Sequence, residues 1–243
     1  MIETGFHRRG AGREEGREAM SGALHHYTGE GGEAYHARRQ VGRSDFAQQG
    51  RAAYFEGLTT SADVVLDFGC ATGGVLSRLP AATRIGVEVN PVAAAEARGV
   101  LDRVVASLDD VADANVDAVI SFHALEHVPE PSGILGGLLR VLKPGGRFRL
   151  IVPYDNILLN PSHRAWRPGD PDLHLFGWTP LAFGNLLTVA GFEVEEVRVT
   201  HWANVGRLSR LLAPVGLGAA IQWLKAIGQG HLQVVATGRR PAA

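Results

Sequence analysis

Between Val64 and Val152 the chain repeats one pattern, a short Val- and Ile-rich run followed by a stretch of helical spacing. The runs are Val64–Phe68, Arg84–Val89, Arg103–Ala106, Asp117–Phe122 and Arg147–Val152, with helical candidates at Gly74–Leu79, Pro91–Ala97 and Ile134–Leu142. Apolar runs without strict alternation suit strands covered on both faces, and strands that alternate with helices build a mainly parallel sheet. The fold class is therefore α/β. Lys143-Pro144-Gly145-Gly146 stops the third helix and turns the chain. Further on, Thr179 and Pro180 are placed to open a helix ending at Ala190-Gly191, with strands expected over Phe192–Thr200 and Leu232–Thr237.

Around this region lie segments of other character. Residues 1–22 are rich in Gly, Arg and Glu and read as a disordered tail; residues 23–60 turn helical and read as a lid. The main domain is expected over 61–240, with insertions at 153–178 and 201–230. Acidic and basic residues balance to a formal net charge of −1, so no global field favours nucleic acid. One cysteine excludes a disulfide framework. The most apolar run, Leu211–Leu224, is broken by Pro214, Gly216 and Gly218 and is too short to span a bilayer. With flanking Arg207, Arg210 and Lys225 it suits a cap over the site or peripheral contact of residues 207–225 with a membrane surface. Without an apolar leader pattern at the N-terminus, a cytoplasmic location is expected.

The segment Val64-Val65-Leu66-Asp67-Phe68-Gly69-Cys70-Ala71-Thr72-Gly73-Gly74 runs from a buried strand into small residues and an expected helix start. Small residues let a ligand approach the backbone, and free N–H groups at a helix start favour an anion. Glu88, about twenty residues on, can accept hydrogen bonds from both hydroxyls of a ribose. Gly69, Ala71 and Gly74 loosely follow a dinucleotide fingerprint, so a nicotinamide cofactor and an oxidoreductase remain one reading. Asp67 favours another. An acid there repels a pyrophosphate and attracts an ammonium, which suggests a ligand with an amino acid at one end and a nucleoside at the other.

These residues resemble the first motif of class I S-adenosylmethionine-dependent methyltransferases, and Gly86-Val87-Glu88-Val89-Asn90 resembles the second. Ser107-Leu108-Asp109 and the stretch Asp117–Val128 are similar to the third and fourth; Leu142–Arg147 and Ala190-Gly191-Phe192 are similar to the turns before strands five and six. The resemblance covers roughly residues 60–200, in order, and is nearest to the small-molecule group acting on sugars and quinones. It implies a Rossmann-like seven-stranded sheet, helices on both faces, whose last strand inserts antiparallel between strands five and six. It also implies that Asp67, Gly69, Cys70, Ala71, Thr72 and Gly73 surround the methionine part of S-adenosylmethionine, and that Glu88 holds the ribose. Val89 and Asn90 would lie beside the adenine, Ser107 and Leu108 at its edge, and Phe122 and His123 on the cofactor's inner side. Ala71 stands where the family has glycine.

The implied activity is methyl transfer (EC 2.1.1.-) to a small molecule, with oxygen of a sugar, glycan or quinone-like metabolite as first choice. A base near the acceptor hydroxyl would then be His127, with His174 second; Glu126, His163, Tyr154 and Asp155 share that sheet edge. The other role for His127 is to brace the helix after Pro131. His123-Ala-Leu-Glu126-His127 has workable metal-ligand spacing, but local helix structure explains it and no metal is expected. Nucleic acid is not an expected partner, and a cofactor-binding protein without turnover is the remaining alternative.

Overall fold

A computed structural model describes residues 27–38, 44–155, 173–201 and 232–242. The expected tail at 1–22, the apolar stretch at 207–225, His163 and most of both insertions lie outside the described residues. Seven strands form one sheet in the order β3-β2-β1-β4-β5-β7-β6. They are β1 (Val64–Phe68), β2 (Thr83–Val87), β3 (Arg103–Val105), β4 (Val116–Phe122), β5 (Leu142–Pro153), β6 (Glu193–His201) and β7 (Leu232–Arg239). β7 runs antiparallel to both β5 and β6, while the pairs among β1 to β5 are parallel. The expected seven-stranded Rossmann-like sheet, with its last strand inserted between the fifth and sixth, is what the chain forms.

Successive residues of each central strand feed two cores. Val65, Ala118, Ile120, Ile151 and Val235 pack on one face with Phe55, Leu76, Ala97 and Leu101. Leu66, Val119, Leu150, Val152, Val234 and Ala236 pack on the other with Leu135, Leu138, Phe183 and Leu187. Period-two side chains that are apolar on both faces explain why these strands read as continuous hydrophobic runs.

Three of the five described helices start at a side-chain cap, Ser44, Asn90 or Thr179. The five are α1 (Gly29–Arg38), α2 (Asp45–Ala52), α3 (Pro91–Ala97), α4 (Pro131–Val141) and α5 (Pro180–Val189). Asn90 Oδ1 accepts from the Val92 and Ala93 N–H groups at 3.1 Å, and Thr179 Oγ1 from the Ala182 N–H at 3.2 Å. Pro occupies the first position of α3, α4 and α5, where its missing N–H costs nothing.

Three expectations change. The helix expected over Gly74–Leu79 is a single 3₁₀ turn, Leu76–Arg78. Gly73 has φ +77°, which no right-handed helix accepts, and Pro80 follows too soon for a helix to propagate. β2 ends at Val87 and not at Val89, leaving Glu88 just beyond the sheet. The Lys143–Gly146 turn is itself part of β5: Val116 pairs with Leu142 and Ala118 with Arg147, so the turn is accommodated as an irregularity in the ladder.

Candidate active site

Most of the sequence-predicted cofactor residues gather at the carboxyl ends of β1 and β2. Asp67 sits near the end of β1 between Gly86 of β2 and Ile120 of β4, and it is buried. Burial, and then the charge of Glu88, hold its carboxyl well above the usual carboxylate range. The chain then turns tightly. The N–H groups of Gly69 and Cys70 both donate to the Val87 carbonyl, at 2.9 and 3.1 Å, which ties the loop to the end of β2.

Gly69 has φ +74°, and a Cβ there would lie 2.5 Å from Ala124 Cβ. Glycine is required on both counts. Ala71 also lies in the left-handed region, at φ +48°. This is why a glycine suits the position, and why alanine is tolerated at a cost of about 1–2 kcal/mol. Burial, then Asp67 and Glu88, push the Cys70 thiol up, so it stays protonated and unreactive.

Glu88 is oriented by the backbone on both sides. Oε2 accepts from the Ala71 N–H and Oε1 from the Asn90 N–H, both at 2.8 Å. Burial still raises its pKa, against these bonds and the neighbouring His36. Two neighbouring acids, with Asp67 raised further by the charge of Glu88, make a site short of a cation. Between β1 and β2 there is a 3₁₀ turn and no α-helix, so this loop does not offer the helix start on which a pyrophosphate would sit.

Other expected contacts resolve differently. Val89 is exposed, and so is Ser107, whose Oγ accepts from the Asp109 N–H. Leu108, by contrast, turns into the core and packs against Gly137 of α4, so its side chain is not an edge for a ligand. Asn90 is spent on structure. Besides capping α3, its Nδ2 donates to the Gly32 carbonyl at 2.8 Å and fixes α1 to the cofactor side.

Phe122 and His123 leave the end of β4 stacked, with ring centroids 4.4 Å apart, and the Arg51 guanidinium lies 5.5 Å from the centroid of Phe122. His123 has φ +52°, and its N–H donates to the Ile151 carbonyl at 2.9 Å. Burial, then Arg51 and His174, hold its imidazole down at about 3. It is neutral at physiological pH and a poor proton acceptor.

The 3₁₀ turn Leu125–His127 brings the remaining candidates together. Tyr27 Oη and His127 Nδ1 lie 2.7 Å apart, and the rings of His127 and His174 meet edge to face at 4.9 Å. Glu126 is fully buried, with Oε1 3.7 Å from His127 Nε2. Its backbone carbonyl accepts from the Leu175 N–H at 2.8 Å, which holds the His174 segment against the turn. Tyr154 and Asp155 are bound through their backbones, to the Leu232 and Trp178 carbonyls. Tyr27 precedes α1, and its bond to His127 spans 100 residues; no local signal predicts it. A surface groove between α2 and Arg78 includes none of the predicted site residues.

Residues 66–150 match a family model described as a methyltransferase domain. A Mycolicibacterium smegmatis protein named for S-adenosylmethionine-dependent methyl transfer is 30% identical over 152 residues, 59% of this chain and 58% of that one. The trans-aconitate 2-methyltransferase of Methylobacterium nodulans is 27% identical over 175 residues, 68% of this chain and 67% of the relative. A ubiquinone biosynthesis O-methyltransferase of Xanthomonas oryzae pv. oryzae is 37% identical over 101 residues, 35% and 41% of the two chains. The match thus spans between about two fifths and two thirds of these relatives' lengths. Among solved structures, a Haloferax volcanii methyltransferase in complex with the Trm112 activator superposes with a TM-score of 0.65 at 18% identity, covering 87% of this chain and 96% of that one. That likeness concerns the fold. The ordered motifs, the sheet and the loop geometry agree with the methyltransferase-domain match over residues 66–150, and the chain is similar to S-adenosylmethionine-dependent methyltransferases.

Proposed function

We propose that the protein transfers a methyl group from S-adenosylmethionine to a small molecule, at an oxygen of a sugar, glycan or quinone-like metabolite. The observation that carries this reading is buried Asp67 next to half-buried Glu88, whose carboxylate is held by the Ala71 and Asn90 N–H groups, beside a loop drawn in by glycines. Asp67 suits the cofactor's ammonium group, Glu88 its ribose hydroxyls. Backbone from Gly69 to Gly73, including Cys70, Ala71 and Thr72, would line the methionine part. Val89 and Ser107 would flank the adenine, with Phe122 and His123 on the inner side. When bound, the cofactor supplies an electrophilic methyl group on a sulfonium centre.

What these residues add is alignment, exclusion of water and removal of one proton. His127 is the proton acceptor. His123 is too weakly basic for the task, whereas His127 is oriented by Tyr27 at Nδ1, turns Nε2 towards Glu126 and meets the His174 ring edge to face. For Nε2 to take the proton, Nδ1 carries the ring hydrogen and Tyr27 Oη accepts it. His174 positions the His127 ring. The names of the trans-aconitate and ubiquinone relatives support a small acceptor, and that of the latter supports oxygen.

The test is incorporation of labelled methyl groups into phenols, quinols, sugars and polycarboxylic acids. We expect acceptor-dependent transfer that His127→Ala slows at least ~10²-fold with cofactor affinity kept. Cofactor binding without transfer to any of these would instead fit a binding protein that does not turn over.

A further inference from the structure

One buried side chain breaks the pattern of the core around it. β7 carries Leu232, Val234, Val235 and Ala236 into the interior, and between the first two stands Gln233, fully buried. Among the described residues, neither its amide oxygen nor its amide nitrogen finds a hydrogen-bond partner. An unpaired amide at a core position costs stability that an apolar side chain of similar size would not. Departures of this kind collect at functional sites.

The sheet register identifies its neighbour. Gln233 pairs with Pro153 of β5 and Thr200 of β6, at the carboxyl end of β5. Side chains two residues apart on a strand share a face, so Gln233 lies next to Val235, which pairs with Ile151. The Ile151 carbonyl accepts the His123 N–H at 2.9 Å and helps to hold His123 at φ +52°, a conformation uncommon outside glycine. The His123 ring is stacked on Phe122. Burial first, then Arg51 and His174, keep that ring neutral, and Gln233 is the neighbour that acts in the opposite sense. A side-chain amide favours the proton-bearing form of an imidazole when its oxygen faces the ring.

We propose that Gln233 is a positioning residue for acceptor recognition and acts through His123. The amide oxygen accepts the hydrogen of one ring nitrogen, which leaves the other nitrogen with a lone pair for the acceptor. That lone pair takes a hydrogen-bond donor, so the acceptor carries a second hydroxyl or an N–H beside the oxygen that is methylated. The inference rests on the reading of His127 as base for an oxygen acceptor: one histidine removes a proton, and the other holds the neighbouring group. The amide and the ring come into full hydrogen-bonding geometry only with the acceptor bound, as catalytic hydrogen bonds commonly do.

The experiment compares the full-length protein with Gln233→Met, which replaces the amide by an apolar chain of similar size. Nitrogen-15 spectra of histidine-labelled samples read the tautomer of His123, assigned with His123→Phe. Calorimetry with S-adenosylhomocysteine bound compares catechol with phenol, and a methyl pyranoside with a deoxy analogue that lacks one of two neighbouring hydroxyls. We expect one His123 tautomer in the wild type and a mixture in Gln233→Met. In at least one pair the diol should bind ~10-fold more tightly than its partner, and the variant should lose that preference with cofactor affinity unchanged. Its Tm should rise by about 2–4 °C, because the unpaired amide is gone. A lower Tm with the preference kept would mark a purely structural glutamine and overturn the proposal. An unchanged tautomer, or no preference for either diol in the wild type, overturns it as well. A preference that the variant loses, with no methyl transferred to either diol, overturns the reading of His127 as base and leaves the Gln233–His123 pairing standing.

Discussion

The two sides of the candidate site are held in different ways. On the cofactor side, almost every restraint is backbone. Gly69 and Cys70 hang from the Val87 carbonyl, Glu88 is gripped by the Ala71 and Asn90 N–H groups, and side chains are excluded by close approach at Gly69, Gly73 and Gly86. On the acceptor side the restraints are side chains from distant segments: Tyr27 on His127, His127 against His174, and Arg51 over Phe122. The first arrangement preserves one ligand geometry through a few local residues. The second can change its ligand by changing single side chains, which suits a fold that keeps one cofactor and varies the acceptor.

That contrast can be broken most forcefully at the cofactor side. Asp67→Ala combined with Glu88→Ala should weaken S-adenosylmethionine binding by ~10²-fold or more in calorimetry, about 1–3 kcal/mol for each charged partner lost. Unaltered affinity would mean that the acids do not face the ligand. On the acceptor side, His127→Ala should lower kcat at least ~10²-fold with the cofactor Kd unchanged. A parallel loss of cofactor affinity would merge the two sides into one. Tyr27→Phe is gentler: we expect kcat to fall roughly 10-fold with little change in acceptor KM, because the base loses its orienting partner and not its lone pair.

Two further predictions concern stability. A carboxyl whose folded-state pKa is raised binds protons more readily in the native than in the unfolded chain. Its contribution to stability therefore declines as pH rises from the unfolded value of about 4 through the raised native value. Asp67→Asn removes that loss. The variant should gain on the order of 1 kcal/mol over the wild type near pH 7, and the gap in Tm should narrow towards pH 4, while cofactor affinity falls. Ala71→Gly relieves a left-handed alanine and should stabilise the protein by about 0.5–1 kcal/mol in denaturant titration, with turnover little changed.

The same contrast explains what could be read in the sequence. The sheet was legible because covered strands are written as contiguous Val and Ile runs, and β1 follows its expected bounds, Val64–Phe68. Helices α3 and α5 were legible through Asn90-Pro91 and Thr179-Pro180. The loop around Asp67, Gly69 and Glu88 was legible because its shape depends on local backbone. The missing helix after β1 was not, since apolar spacing over Gly74–Leu79 outweighed the left-handed turn that Gly73 requires. Leu108 was misplaced because a motif position does not reveal whether its side chain faces a ligand or the core. Tyr27 on His127 and the Glu126–His127–His174 cluster depend on tertiary packing, which no spacing rule encodes.

The most direct measurement of the central claim is calorimetric titration of the protein with S-adenosylmethionine and S-adenosylhomocysteine, with NAD in parallel. We expect both adenosyl ligands to bind with Kd on the micromolar scale, about −8 kcal/mol, and NAD not to bind. Binding of NAD with no binding of either adenosyl ligand would contradict the assignment of Asp67 and Glu88 and the methyl-transfer reading built on them.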